Sequence, residues 1–243
     1  AYMDLTGTDR LHGTSPAASL ALFARRIEQK VGITVSIGLS HNKLLAKIAS
    51  DLDKPRGFAV IGKAEAASFL APHDVTLIPG IGKSFAARLA QDGFRTLGDL
   101  QNADEAWLLK KYGEHGLSLA ARSRGEDHRP VDPSRETKSV SGETTFQTDL
   151  SGKNDLEDHL YAMCRKVASR AKDAGLAGRV VTLKLKTDNF KSLTRQRSLP
   201  YATNLTAVLF EIGQALLAAE LADRPGRAYR LIGIGISDLC EAK

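Results

Sequence analysis

The sequence predicts a multidomain α+β protein, and three patterns along its 243 residues carry that prediction. Residues 1–75 alternate strand-like and helical segments, residues 76–128 contain helical segments only, and residues 138–243 follow the order βαββαβ. The stretch 129–137 is polar, contains prolines and lacks apolar periodicity, which is typical of a linker. We therefore expect an α/β region, a small all-helical region and a ferredoxin-like sheet domain.

Composition excludes several classes of protein. Hydrophobic residues make up 42% of the chain, which is enough for packed cores. The sequence has no apolar run long enough to cross a membrane and no secretory signal, so we expect no membrane partner. Cys164 and Cys240 lie far apart without metal-binding spacing, which favours reduced cysteines in a cytoplasmic protein. The net charge of +6 favours a polyanionic partner.

The first region carries alternating signals for short strands and helices. The β-branched run GITVSIGL predicts a buried strand, and Ser15 before Pro16 marks the start of a helix. The expected elements are strands at 2–6, 32–39 and 58–61 and helices at 16–30, 41–52 and 63–71. Because the chain opens on a strand-like stretch without an initiator Met, we interpret it as part of a longer protein.

The stretch GLSHNKLLAKIASDLDKPRG, residues 38–57, combines an apolar helix face with a row of lysines. The residues at helical spacing that predict a buried face are Leu44, Leu45, Ile48 and Leu52. Lys43 and Lys47 lie on the flank of the same helix, and Lys54 follows its end. Taken alone, the pattern favours a solvated lysine face over a phosphate site.

The most specific local signal is the turn PGIGK between helical segments, which predicts a helix-hairpin-helix. Gly80 and Gly82 allow backbone N–H groups to be exposed at a helix N-terminus, beside Ile81, where they suit a phosphate oxygen. Lys83 adds a positive charge without base preference. The alternative is a tight helical hairpin without a ligand. A further helix is predicted over 107–124.

The last region predicts an antiparallel sheet with one apolar and one basic face. Its expected elements are strands at 139–147, 179–188, 191–199 and 227–238 and helices at 154–174 and 204–221. In VVTLKLKT, three apolar residues alternate with Thr182, Lys184 and Lys186. In LIGIGIS, Gly233 and Gly235 leave one face without side chains, so a polyanionic backbone can approach closely.

Three arginines of this region have two equally supported interpretations. Arg195 and Arg197 alternate on a strand, and Arg230 lies at the last strand. They contact nucleic acid, or they are edge-strand charges that prevent aggregation.

The residues do not assemble into an active site. Two-metal chemistry needs several converging carboxylates, and the first strand offers only Asp4 and Asp9. Asp51 and Asp53 stand among lysines, as expected of ion-pair or capping residues. The six histidines have no metal-ligand spacing.

Taken together, three motifs resemble the Y-family translesion DNA polymerases, and the likeness covers essentially the whole chain. GLSHNKLLAKIASDLDKPRGFAVI is similar to the palm signature of that family, and LIPGIGKSFAARLAQDGFRTLGDL to its thumb hairpin. TDNFKSLTRQRSLP and the βαββαβ order are similar to its little finger. The resemblance implies a partial palm at 1–75, a thumb at 76–128 and a little finger at 138–243.

The resemblance also implies roles for individual residues. Lys54 matches the lysine that contacts the incoming triphosphate. The thumb turn that holds the DNA backbone matches Gly80, Ile81, Gly82 and Lys83. Arg195, Arg197 and Arg230 match little-finger positions that lie against DNA phosphates, next to the basic strand with Lys184 and Lys186.

The resemblance implies a DNA-directed DNA polymerase that copies past damaged bases, with primer-template DNA and dNTP as partners. The chain departs from the family because the palm Asp and Glu, the fingers and the first metal ligand would precede Ala1. Asp4 matches a family Asp that is not a metal ligand, so Mg²⁺ would be held upstream. A sliding clamp would bind a tail that is not in this sequence, and the location would be the bacterial cytoplasm, at the nucleoid.

We therefore expect this chain to bind DNA without catalysing nucleotidyl transfer. Two alternatives remain open. A non-catalytic polymerase relative would serve as a DNA-binding or scaffolding subunit. An unrelated helix-hairpin-helix module would give residues 38–57 no role.

Overall fold

The computed structural model describes residues 1–134 and 136–242 and divides into two compact units, Ala1–Pro133 and Ser134–Lys243. Each unit has its own hydrophobic core. Arg135 of the predicted linker and Lys243 at the end of the predicted little finger lie outside the described residues.

Short helices make up most of the N-terminal unit, with one two-stranded parallel sheet, β1-β2. Its elements are α1 (Thr8–His12), α2 (Pro16–Val31), β1 (Ile37–Ser40), α3 (Lys43–Leu52), β2 (Phe58–Ile61), α4 (Ala66–Leu70), a 3₁₀ turn (Val75–Leu77), α5 (Lys83–Gln91), α6 (Leu97–Gln101), α7 (Glu105–Tyr112) and α8 (Glu114–Ser123).

The predicted helix face of α3 forms part of the core of this unit. Leu44, Leu45 and Ile48 are buried and belong to one cluster with Leu89 and Leu119 from the later helices. A single core therefore joins the segments predicted as palm and thumb. Leu52, expected on the same face, is 39% exposed, because α3 ends there and the chain turns away at Asp53.

Two strand predictions in this unit are wrong. Residues 2–6 form no strand, since no strand of the described residues pairs with them. The strand predicted at 32–39 is shortened to β1 and is half-buried, and Ile33 before it is 56% exposed. Both faces of a strand are buried only where other layers cover them, and every residue of β1 stays partly exposed.

The single helix predicted over 107–124 is divided into α7 and α8 by Gly113. Gly113 has φ 65° and ψ −155°, a conformation that interrupts a helix and that residues with a side chain rarely adopt. Gly116 then lies so close to α7 that a Cβ on it would stand 2.3 Å from the Leu108 carbonyl oxygen. The two helices consequently pack as a tight pair.

Residues of the C-terminal unit follow the predicted βαββαβ order. Its elements are β3 (Ser139–Leu150), α9 (Lys153–Asp173), β4 (Leu176–Thr187), β5 (Ser192–Thr203), α10 (Thr206–Asp223) and β6 (Tyr229–Glu241). The sheet order is β3-β6-β4-β5 with antiparallel neighbours, so each βαβ unit has another strand between its parallel strands.

The core of this unit lies between one sheet face and the helices α9 and α10. Val181, Leu183 and Leu185 of β4 are buried there, as their alternation predicts. Cys164 of α9 is also buried, and burial raises the pKa of its thiol to about 12. No helix within the described residues is both long enough and apolar enough to cross a bilayer.

Candidate nucleic-acid interface

The turn of residues 79–82, which the sequence predicts as part of a thumb hairpin, leads directly into α5. Gly80 has φ 99°, which favours glycine, and Gly82 occupies the N-cap position without a side-chain cap. Ile81 is buried and anchors the turn, while Lys83 is exposed at the first residue of α5. The first-turn N–H groups of a helix have no partner within the helix, so this end suits an anion.

Arg122 of α8 is hydrogen-bonded to the backbone of this turn. Its Nη2 donates to the Pro79 carbonyl oxygen at 2.5 Å, and burial lowers the pKa of the Arg122 guanidinium. Ile81 N donates to the Ile78 carbonyl oxygen at 3.1 Å within the turn. The motif alone did not identify Arg122, because it lies far from the turn in sequence.

Lys54, the predicted triphosphate contact, is exposed and paired. Its Nζ lies 2.6 Å from Asp51 Oδ1, and Lys47 binds the other oxygen of the same carboxylate. The ammonium groups of Lys47 and then Lys54 lower the pKa of the Asp51 carboxyl. Lys43 donates to the Pro130 carbonyl oxygen at 3.1 Å instead. The ion-pair role expected of Asp51 is confirmed, and Asp53 occupies the C-cap position of α3.

The sheet of the C-terminal unit has a face opposite its helices that we call the open face. Most of its residues have small or hydroxyl side chains, with one lysine and one glutamate, and they line a shallow depression of about 280 Å³. They include Ser139, Ser141, Glu143, Thr182, Lys184, Thr194, Gly233, Gly235 and Ser237.

Glycines form the floor of this depression. A Cβ on Gly233 would stand 2.7 Å from Glu143 Cβ, and one on Gly235 would stand 2.9 Å from Ser141 Cβ. Lys184, which is opposite Gly233 in the register, binds Glu143 Oε2 through its Nζ at 2.6 Å. The open face is therefore less basic than the alternation of β4 predicted, because a carboxylate of β3 balances one lysine.

Lys186 and Arg230 come together at the end of the β4–β5 hairpin. Phe190, in the hairpin turn, is 61% exposed. The Arg230 guanidinium lies 3.8 Å from the centroid of its ring, and Lys186 Nζ lies 5.3 Å from it. The arrangement is a cation–π group with two positive charges.

Arg195 and Arg197 do not join the open face. In the register, Arg195 is opposite Leu183 and Arg197 is opposite Val181, so both side chains belong to the face that the helices cover. Arg195 reaches the buried carboxylate of Glu220 in α10, with Nη2 2.6 Å from Oε2. The predicted arginines and lysines of this unit are thus divided between two faces.

The signal for Glu220 was present in the sequence. Leu209, Ile212, Leu217 and Glu220 recur at helical spacing in α10, and all four are buried. A charged residue on such a face requires a partner.

The described residues do not fit the Mg²⁺ that the family resemblance implies. No group of three or more His, Cys, Asp or Glu within residues 1–134 and 136–242 is placed to hold a metal ion. Asp4 Oδ1 accepts a hydrogen bond from Thr6 N at 2.9 Å, and Asp51 is occupied by two lysines.

Comparison with known proteins gives family matches at both ends of the chain. Residues 1–51 match the impB/mucB/samB family, and residues 137–243 match the impB/mucB/samB family C-terminal domain. Together these matches cover more than half of the chain. The chain belongs to this family, the Y family of DNA polymerases.

Curated relatives match along nearly the whole chain. DNA polymerase IV of Caulobacter vibrioides is 50% identical over 242 residues, covering 100% of this chain and 59% of the relative. DNA polymerase IV of Brucella melitensis biotype 1 is 52% identical over 239 residues, covering 98% and 53%. The chain thus spans little more than half the length of these relatives.

Solved structures share the fold. A Y-family DNA polymerase chimera of Dbh and Dpo4 has a TM-score of 0.72 and 23% identity, covering 96% of this chain and 67% of the chimera. An insertion ternary complex of Dbh DNA polymerase has a TM-score of 0.52 and 22% identity, covering 97% of this chain and 68% of that one. The α+β Y-family fold predicted from the sequence is confirmed at this level.

Proposed function

We propose that the protein to which this chain belongs is a DNA-directed DNA polymerase of the translesion type. The observation that carries the proposal is the identity of about half of all residues, over nearly the whole chain, with relatives named DNA polymerase IV. Solved structures with the same fold include a ternary complex and a binary complex of Dbh DNA polymerase. Primer-template DNA and dNTP are the partners that this activity requires.

Within this activity, the role that we assign to the N-terminal unit is to contact the backbone of the duplex and the incoming triphosphate. The exposed N-terminus of α5 with Lys83 supports a phosphate contact, in a turn that we propose to be a helix-hairpin-helix. Exposure of Lys54 beyond α3 supports a triphosphate contact. To reach a triphosphate, Lys54 exchanges the Asp51 carboxylate for phosphate oxygens, which also accept a charge-assisted hydrogen bond from its ammonium group.

Our assignment for the C-terminal unit is a ferredoxin-like little finger that binds the DNA backbone. Its open face offers hydroxyl groups, Lys184 and a glycine floor, a combination suited to close approach of a polyanion without base reading. Arg195 and Arg197 add positive charge at the β5 edge. At the hairpin, Lys186 and Arg230 make cation–π contacts with the Phe190 ring.

The test measures DNA binding by the 243-residue chain with a fluorescent primer-template. We expect binding that weakens with salt, and a loss of about threefold to tenfold in affinity for Lys83→Ala, with one unit less in the salt slope. Lys63→Ala, which removes an exposed lysine of the same unit, is the matched control. Equal losses in both variants would show that Lys83 contributes only general charge.

A primer-extension assay with Mg²⁺ and dNTP separates binding from catalysis. The sequence-based expectation is that this 243-residue chain binds the primer-template without extending it. Extension by the chain would contradict that expectation and leave the polymerase assignment intact. Absence of DNA binding would contradict the assignment of both units.

A further inference from the structure

Glu220 is a buried carboxylate with several positively charged neighbours. Its side chain is 0% exposed, although it lies near the end of α10 on an otherwise apolar face. Oε2 accepts from Arg195 Nη2 at 2.6 Å, and Oε1 accepts from the Tyr229 hydroxyl at 3.3 Å. Arg224 Nε lies 4.0 Å from Oε1. Three elements, β5, α10 and β6, therefore meet at this one side chain.

Arg227 is a further arginine near Tyr229. Burial and Glu220 raise the pKa of the Tyr229 hydroxyl, and the charges of Arg227 and Arg224 oppose that shift. Among the described residues, Arg227 Nη1 is buried without a hydrogen-bond partner. Arg224 Nε also lies 3.4 Å from Asp223 Oδ2, so three arginines here face two carboxylates. The surplus of positive charge favours an anion at this edge.

Two hydrogen bonds fix the guanidinium of Arg195. Nη2 binds Glu220, and Nη1 donates to the carbonyl oxygen of Thr194 at 2.9 Å. The side chain is nevertheless 41% exposed. Because a guanidinium has five N–H donors in a rigid plane, these two bonds leave donors directed to solvent in a set orientation. A flexible arginine on an edge strand has no such fixed orientation.

Stability does not explain this arrangement well. A buried ion pair is often no more stabilising than apolar residues of the same volume, because both charges lose their hydration. A buried carboxylate that orients an exposed arginine does have a use when that arginine binds a ligand. Fixing the arginine in advance also reduces the entropy that is lost on binding.

We propose that Glu220 is a positioning residue for DNA binding, which holds the Arg195 guanidinium at the β5 edge in the orientation that bonds a backbone phosphate. The inference rests on the proposed function, since it requires that the C-terminal unit bind DNA. Glu220 acts through Arg195 and does not touch the DNA.

The test compares Glu220→Gln, Arg195→Ala and their double variant in primer-template binding by the 243-residue chain. Glu220→Gln removes a negative charge, so electrostatics alone predicts tighter DNA binding. Positioning predicts the opposite sign, a loss of about tenfold, since a bond between charged groups is lost. Arg195→Ala should show the same loss, and the double variant should lose no more than either single one.

Two further variants keep the result clear. Glu211→Gln removes an exposed carboxylate from the same helix, α10, outside the proposed DNA-binding surface, and we expect it to leave binding unchanged. Arg195→Lys keeps the charge but cannot bond Glu220 and the Thr194 carbonyl in one plane, so it should resemble Arg195→Ala. This variant tests the geometry even where Glu220→Gln fails to fold, which circular dichroism detects.

Each contrary outcome has a distinct meaning. If Glu220→Gln tightens binding equally in the wild-type and Arg195→Ala backgrounds, its effect is charge alone and the positioning role is overturned. The role is also overturned if Arg195→Lys binds as the wild type does. If the wild-type chain does not bind DNA, the proposed function of the unit fails, and the inference fails with it.

Discussion

In two ion pairs of the C-terminal unit, a residue predicted to contact DNA is bonded to a carboxylate. The two pairs differ in how far they are exposed to water. On the open face, Lys184 binds Glu143 and both side chains are about half exposed, at 43% and 50%. At the β5 edge, Arg195 binds Glu220, which is fully buried. The N–O distance is 2.6 Å in both pairs. Equal distances therefore conceal unequal energies, because water screens the first pair and does not reach the buried carboxylate of the second.

The largest expected effect comes from removing the carboxylates. Glu220→Ala should lower the free energy of unfolding of the C-terminal unit by about 2–3 kcal/mol, since it leaves the Tyr229 hydroxyl and Arg195 without their acceptor. Glu143→Ala should cost less than about 1 kcal/mol, as expected of an exposed pair.

Urea unfolding followed by circular dichroism measures both effects. The only tryptophan of the chain, Trp107, belongs to the N-terminal unit, so its fluorescence serves as an internal control. Similar losses for the two glutamate variants would contradict the distinction between the pairs.

A smaller effect is expected from filling the floor of the open face. Gly233→Ala would place a Cβ 2.7 Å from Glu143 Cβ, so β3 or β6 must shift, at a cost of about 1–2 kcal/mol. It should also weaken DNA binding, because the depression becomes shallower. Thr194→Ala, on the same face, removes a hydroxyl without a clash and is the control. Thermal unfolding and primer-template titration measure the two consequences.

The smallest effect concerns the salt dependence of the open face. Glu143→Gln should tighten DNA binding by about twofold at low ionic strength, because Lys184 no longer has a competing carboxylate. The gain should disappear near physiological salt, since the site is exposed. A gain that persists at high salt would indicate that Glu143 contacts the DNA more directly than its pairing with Lys184 implies.

The sequence was sufficient for elements whose pattern matches their surroundings. The alternation of Val181, Leu183 and Leu185 predicted the buried face of β4, and the start of α2 at Pro16 followed from the cap Ser15. The sequence was insufficient where the pairing of strands decides whether a segment forms a strand. Residues 2–6 resemble a strand locally, yet a strand requires a neighbour to complete its hydrogen bonds.

The same limit applies to the interface. The alternation predicts that Arg195 and Arg197 share a face, and only the register with β4 shows that this face is the one covered by helices. Leu193 and Leu199, which have the same parity in β5 and pack on the core, were the available signal. The Glu143–Lys184 pair could not be predicted, because the two residues are brought together only by their common neighbour β6.

The hydrogen bond from Arg122 to the Pro79 carbonyl oxygen has a consequence for the proposed contact of this turn with DNA. It connects α8 to the backbone of the turn before α5, and Ile81 anchors the same turn in the core. The turn is thereby ordered when the protein folds. The loss of conformational freedom that a flexible loop would incur at each encounter with a phosphate has already occurred, so the encounter retains more of the contact energy as affinity.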